Sequence, residues 1–226
     1  MPDWSEPVAR YILEEGLPNT LRVAVVAVIG STLIGVLLGT LLTIPFRPLR
    51  ALVRLYVEVF RGMPILVTVF ATFFLLPTIS PQLEFSALNA GTIALTLWGS
   101  AQVAETTRGA VQSIGYEQRD AAAALGFKWV GSHVYVILPQ ALRRLLPPLV
   151  SLLVNIIQNT TLVGVIGGLD LLEAGKRQNE RLAAFPPVGV GESHAFEILI
   201  AIAALFFCLS FPLARLAAYL EKRLVS

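Results

Sequence analysis

DAAAALG at residues 120–126, followed by VILP at 136–139, sits between long apolar runs. Four alanines in a row have high helix propensity but too little apolar bulk to serve as a membrane span. The stretch reads as two short helices joined at Gly126, the second closed by Leu138 and Pro139, and presented to a partner. Asp120 stands at the start of the first helix, where a carboxylate suits both an N-cap and the helix dipole. Leu125, Phe127 and Trp129 supply apolar anchors, and Ala121 and Ala122 are small enough to allow close approach.

The surroundings of this stretch are those of a membrane protein. The chain has 226 residues, 55% hydrophobic and only 14% charged, with a mean hydropathy of +0.72. Soluble domains carry roughly 25% charged residues. Apolar runs at 23–44, 57–76, 88–104, 145–166 and 196–213 approach the roughly 20 residues that cross a hydrocarbon core. The expected fold is an all-α membrane protein with five transmembrane helices. Residues 1–19 form a polar, acidic tail without the features of a cleavable signal peptide. Residues 20–226 form the transmembrane domain, with a loop at 117–139 and a longer one at 167–195. Cys208 is the only cysteine, so no intrachain disulfide forms.

Charge distribution orients the chain. With the N-terminus outside, 12 of the 17 Lys and Arg and five of the 15 Asp and Glu fall inside, giving +7 there and −5 outside. The positive-inside rule therefore favours an outside N-terminus and a cytoplasmic C-terminus. An odd number of spans agrees with that.

Several positions carry chemistry at membrane cost. Gly35 and Gly39 have the G-x-x-x-G spacing that lets helix backbones approach, compatible with a specific seam or with a glycine-tolerant helix. Gly62 and Pro64 favour a bend where the second span begins. Glu58 and Arg61 are spaced to pair across one turn, as are Glu105 and Arg108. Asn155, Gln158 and Asn159 fall on one side of the fourth span, facing a bundle interior or a watery pathway. Thr68 and Thr72 form a second polar pair at i, i+4. Residues 169–184 have the pattern of an amphipathic helix lying on the outer face, where it either meets a partner or caps the bundle.

Other chemistries are excluded. Gly175-Lys176 lacks the earlier glycine and the following Ser/Thr of a Walker A loop. His133 and His194 are far apart and expected on opposite membrane faces, each a solvated or interfacial histidine. Gly99-Ser100 does not complete a nucleophile elbow. Asn159-Thr160-Thr161 matches a glycosylation sequon, but inside a span. No basic–aromatic pattern suggests nucleic acid.

Taken together, these segments resemble the permease subunits of bacterial ABC importers, in the polar amino-acid branch. That family carries E-A-A-x3-G-x9-I-x-L-P in a cytoplasmic loop. Here Asp120-Ala121-Ala122, Gly126, Val136 and Leu138-Pro139 reproduce its spacing, with Asp for Glu and Val for Ile. Residues 56–66 resemble its F-R-G-x-P-L region, 104–109 its A-E-x-x-R-G, 137–143 its I-L-P-Q-A-x-R, and 159–162 its N-T-S-L segment. The likeness runs from about Leu17 to the C-terminus.

The resemblance implies a multi-pass, non-catalytic subunit of the bacterial plasma membrane. Two permease subunits, identical or related, would form the pathway. ATPase subunits would bind ATP and Mg and dock on Asp120, Ala121, Ala122, Leu125, Gly126, Phe127, Leu138 and Pro139. A solute-binding protein would deliver an amino acid outside. This chain itself would need no cofactor. A self-sufficient secondary transporter or channel would instead need mid-membrane acids and an internal repeat, and neither is present. An intramembrane enzyme lacks its nucleophile–base pair, and a structural scaffold leaves the 120–139 pattern without a purpose.

Overall fold

The computed structural model describes residues 3–184 and 193–224, and these are helical throughout apart from short connections. The helices are α1 (Ser5–Tyr11), α2 (Leu17–Leu41), α3 (Arg47–Gly62), α4 (Ile65–Phe70), α5 (Leu76–Ile79), α6 (Ala87–Gln112), α7 (Tyr116–Ala124), α8 (Trp129–Gly131), α9 (Leu138–Asn159), α10 (Leu171–Ala184) and α11 (Ala195–Leu224). π-helical turns join α1 to α2, α4 to α5 and α8 to α9.

Three continuous helical stretches are long and apolar enough to cross a membrane: Ser5–Leu41, Trp129–Ile166 and Ala195–Leu224. A fourth arises if α3 and Ile65–Ile79 count as one broken span. α6 has 26 residues, about 39 Å at 1.5 Å per residue. Asn89, Gln102 and its glycine, serine and threonine residues keep it out of that apolar set, and Glu105 and Arg108 follow in its last two turns.

The expected boundaries move in three places. Residues 5–19 are helical and continue into α2, rather than forming a separate tail. The run at 57–76 is not one helix: α3 stops at Gly62, Met63 is extended (φ −80°, ψ 139°), and a new helix starts after Pro64. Proline lacks the N–H that would continue α3 and biases its predecessor away from the α region. Third, Leu138-Pro139 closes nothing. The helix from Trp129 runs through it to Ile166, with a wider π turn at Ser132–Ile137 just before the proline. Residues 185–192 of the expected outer loop, and the ends 1–2 and 225–226, lie outside the described residues.

The chain divides into two compact units. The first is drawn from Met1–Val28, Pro64–Thr96 and Asn155–Phe211, the second from Ile29–Met63, Leu97–Val154 and Pro212–Ser226. In the first, Val8, Ile12, Leu171, Ala174, Ile198 and Ile202 form one core, and Val69, Ala90, Ala94 and Ile166 another. α10 is packed by its Leu171, Ala174, Gly175 and Gln178 face, so it covers α1 and α11. In the second unit, Leu42, Val53, Val57 and Ala104 pack together. Val103, Leu145 and Leu149 form a further cluster, and Val111, Ile114, Ile137 and Ala141 a third.

Candidate functional site

The 117–139 segment belongs to the second unit. α7 begins at Tyr116, after Gly115 in an extended conformation (φ −57°, ψ 156°). Asp120 is therefore mid-helix and exposed, not an N-cap, and Glu117 is the acid of the first turn. The helix ends in a Schellman turn. Gly126 has φ +83°, its N–H donates to Ala123 O (2.9 Å), and Phe127 N–H donates to Ala122 O (3.0 Å). These two bonds satisfy carbonyls that the helix end would leave open.

Only Ala122 of the alanine run is buried (1% exposed). Ala121, Leu125, Gly126 and Phe127 are exposed, Leu125 by 77%. Tyr116, Trp129, Val130 and Tyr135 are exposed too, and the Phe127 and Tyr135 rings lie 6.0 Å apart, so this polar segment displays several apolar side chains. Underneath, the segment is fastened to the helices that bracket it. Leu138 packs on the Val111, Ile114, Ile137 and Ala141 cluster, and Pro139 is exposed beside it. Gln140 Nε2 donates to Gln118 Oε1 (3.2 Å), and Arg144 Nη1 to Ser113 O (2.6 Å). His133 is buried, contrary to the solvated reading. Its ring stacks on Trp129 at 3.8 Å, and Nδ1 lies 3.0 Å from Trp129 O.

A charged knot lies in the same unit. Arg108 Nε donates to Glu105 Oε2 (3.0 Å). Arg54 reaches the same carboxylate at 3.2 Å, and Arg61 at 3.8 Å. Glu58 does not meet Arg61; it pairs one turn back with Arg54 at 3.3 Å. Arg61 instead faces α6. Next to the knot, Tyr56 Oη is 2.7 Å from Ser100 Oγ and donates to Leu97 O (3.2 Å).

The polar residues of the fourth expected span lie in the first unit. Asn155 and Gln158 are exposed and Asn159 is half-buried. Asn159 Nδ2 donates to Asn155 O (2.8 Å). Thr68 and Thr72 are both buried, at 2% and 3% exposure. Thr72 Oγ1 donates to Thr68 O (2.8 Å), and Thr68 Oγ1 has no partner among the described residues. The threonines thus do not share an open surface with the amides.

Asp170 is a residue that sequence reasoning missed. It caps α10, accepting from Glu173 N–H (2.9 Å) and Leu172 N–H (3.3 Å), while Thr20 Oγ1 accepts from Leu171 N–H (2.8 Å). Burial pushes the Asp170 carboxyl up to about 6. D-L-L-E at 170–173 is the capping-box spacing that would have found it. Among the described residues, no group of three or more His, Cys, Asp or Glu is placed to hold a metal ion.

Comparison with known proteins agrees with this architecture. Residues 31–226 match the family described as binding-protein-dependent transport system inner membrane component. The chain is 34% identical over 211 residues to the probable glutamine ABC transporter permease protein GlnM of Bacillus subtilis (strain 168), covering 93% of this chain and 92% of that one. It is 34% identical over 223 residues to the glutamine transport system permease protein GlnP of Escherichia coli (strain K12), covering 98% and 97%. Among solved structures, an amino acid ABC transporter crystallised with histidines superposes with a TM-score of 0.81 at 29% identity, over 96% of this chain and 95% of that one. The chain therefore belongs to the inner-membrane components of binding-protein-dependent transport systems: it is a multi-pass, non-catalytic permease subunit of an ABC importer, working with a separate ATPase and a binding protein.

Proposed function

We propose that this permease carries a polar amino acid handed over by an extracytoplasmic binding protein, along a pathway shared with a second permease subunit. In this reading five spans, made by α2, Ile65–Ile79, α6, α9 and α11, cross the membrane with the N-terminus outside. The charge asymmetry of the loops supports that orientation. The substrate class is suggested by the glutamine and amino-acid transporters among the relatives.

The observation that carries the coupling reading is the Gly126 turn with its exposed apolar flank. Docking through Asp120, Ala121, Ala122, Leu125, Gly126, Phe127, Leu138 and Pro139 would cover this surface. Motion of the ATPase would then reach α6 and α9, to which the segment is fastened. A motor drives transport only if its contacts differ between two states. The ion pairs of Glu105 tie α6 to α3 through Arg61 and Arg54, and Arg108 joins them from α6 itself. Asn155, Gln158 and Asn159 line the pathway in this reading, and Thr68 and Thr72 join it only in a state that opens their packing.

The test is a reconstituted assembly of permease, ATPase and binding protein. ATP hydrolysis is measured with the binding protein loaded with glutamine, glutamate, histidine, arginine or leucine. Stimulation by polar amino acids and not by leucine is the expected outcome. Equal stimulation by leucine would remove the substrate class. Failure of the ATPase to co-purify with wild-type chain would remove the coupling reading.

A further inference from the structure

α3 has a face that the transport reading leaves unused. Its 16 residues carry four arginines and one glutamate, too much charge for a span. The helix divides into three strips. Leu49, Val53, Tyr56 and Val57 are turned into the second unit. Leu52, Leu55 and Val59 recur at i, i+3 and i+7 on an outward strip and are 67%, 62% and 41% exposed. Arg47, Arg50, Arg54, Glu58 and Arg61 occupy the third strip, whose later turns meet Glu105 of α6.

The arginines are not equally engaged. Arg54 and Arg61 are held by Glu105. Arg47 and Arg50 are exposed and have no ion-pair partner among the described residues. The first turn of α3 holds no acid, and two cations there oppose the helix dipole. An exposed apolar strip on a helix too charged to span, with uncompensated arginines on its polar side, is the pattern of a helix lying in a membrane interface.

We propose that α3 lies in the plane of the cytoplasmic leaflet as an anchor for anionic lipid. Leu52, Leu55 and Val59 sit at the boundary between headgroups and acyl chains, and Arg47 and Arg50 hold lipid phosphates. The occupant is lipid and not a protein groove because the strip is a single row of aliphatic side chains without a polar acceptor. The uncompensated charge on the first turn of the same helix also matches an anionic leaflet. This inference rests on the orientation in the preceding subsection.

The experiment uses the permease–ATPase complex in vesicles of phosphatidylcholine, with and without phosphatidylglycerol. Nitroxide labels are placed through Leu52→Cys and, separately, Glu58→Cys, in a Cys208→Ser background. Oxygen should reach the label at 52, and a water-soluble nickel chelate the label at 58. Nickel access at 52 would overturn the proposal, and so would shielding of 52 from both reagents, since a protein partner would then cover the strip. Retention of phosphatidylglycerol by the purified complex, read by native mass spectrometry, should fall by about fivefold for each arginine changed to glutamine at 47 and 50. The Arg47→Lys/Arg50→Lys variant should retain it. Unchanged retention in the glutamine variants would overturn the phosphate contact. Reaction of Glu58→Cys with a membrane-impermeant maleimide added outside intact cells would overturn the orientation alone, leaving the lipid contact to be judged by the labels.

Discussion

Gly39 packs directly on Thr107: a Cβ placed on the glycine would stand 2.5 Å from the Cβ of Thr107. One turn earlier, a Cβ on Gly35 would stand 2.7 Å from the backbone oxygen of Ser100. The G-x-x-x-G spacing therefore serves a seam between α2 and α6 within the second unit. A side chain at either glycine must push two backbones apart.

Gly35→Ala and Gly39→Ala should each destabilise the chain by about 1–3 kcal/mol, the usual cost of overpacking. Gly109→Ala should do the opposite. Gly109 is helical, and nothing lies within 4 Å of its added Cβ, so the substitution should stabilise by about 0.5–1 kcal/mol. Unfolding midpoints in one detergent would decide. A Gly39→Ala midpoint at or above wild type would mean the seam is looser than described.

Glu105 is the shared acceptor for Arg54, Arg61 and Arg108. Glu105→Gln leaves three guanidinium groups facing one neutral amide. Its side chain is 20% exposed, so water softens the penalty, and a loss of about 1–3 kcal/mol is expected. Arg108→Gln should cost less, because two arginines still compensate the carboxylate. A double-mutant cycle should therefore show coupling between the two positions. Additive effects would mean that the knot contributes nothing as a knot.

Gly126 has open space around its Cβ position, so only its backbone conformation demands glycine. At φ +83° an alanine costs about 1–2 kcal/mol, and asparagine, which tolerates the left-handed region, costs less. ATPase co-purification should fall in the order wild type, Gly126→Asn, Gly126→Ala, Gly126→Pro. An alanine variant that binds ATPase like wild type, while proline abolishes binding, would show that the segment adapts on docking.

The sequence carries the Gly126 turn because a helix-favouring run meets a residue that accepts positive φ, and the two Schellman bonds follow from local chain geometry. It does not carry the start of α7. Gly115 and the helix-compatible YEQR that follows move the start four residues before Asp120. The partner of Glu58 is missed for a different reason. Spacing rules see both Arg54 and Arg61 as neighbours, and only the tertiary approach of Glu105 draws Arg61 away. The break at Pro64 is legible as a proline, and Arg61 marks the first turns of the run at 57–76 as interfacial; the sequence does not show that those turns belong to a separate helix reaching back to Arg47.

The pH dependence of the α10 cap follows from Asp170. This side chain is buried, in a residue 1% exposed, and its carboxyl is pushed up to about 6 by desolvation, against backbone bonds that pull it down. A carboxyl raised above its unfolded value binds more protons when folded, so its contribution to stability falls as pH rises from about 4 to about 6 and is flat above that. Lowering the pH from 7 to 5 should therefore stabilise wild type by about 1 kcal/mol through this group. Asp170→Asn keeps the oxygen that accepts from Glu173 N–H but has no proton to bind. The stability difference, wild type minus Asp170→Asn, should grow in favour of wild type as pH falls from 7 to 5. Carboxylates remote from position 170 contribute equally to both proteins and cancel in that difference. A difference that is constant with pH would mean that Asp170 is charged and solvated, and that the cap is looser than its burial implies.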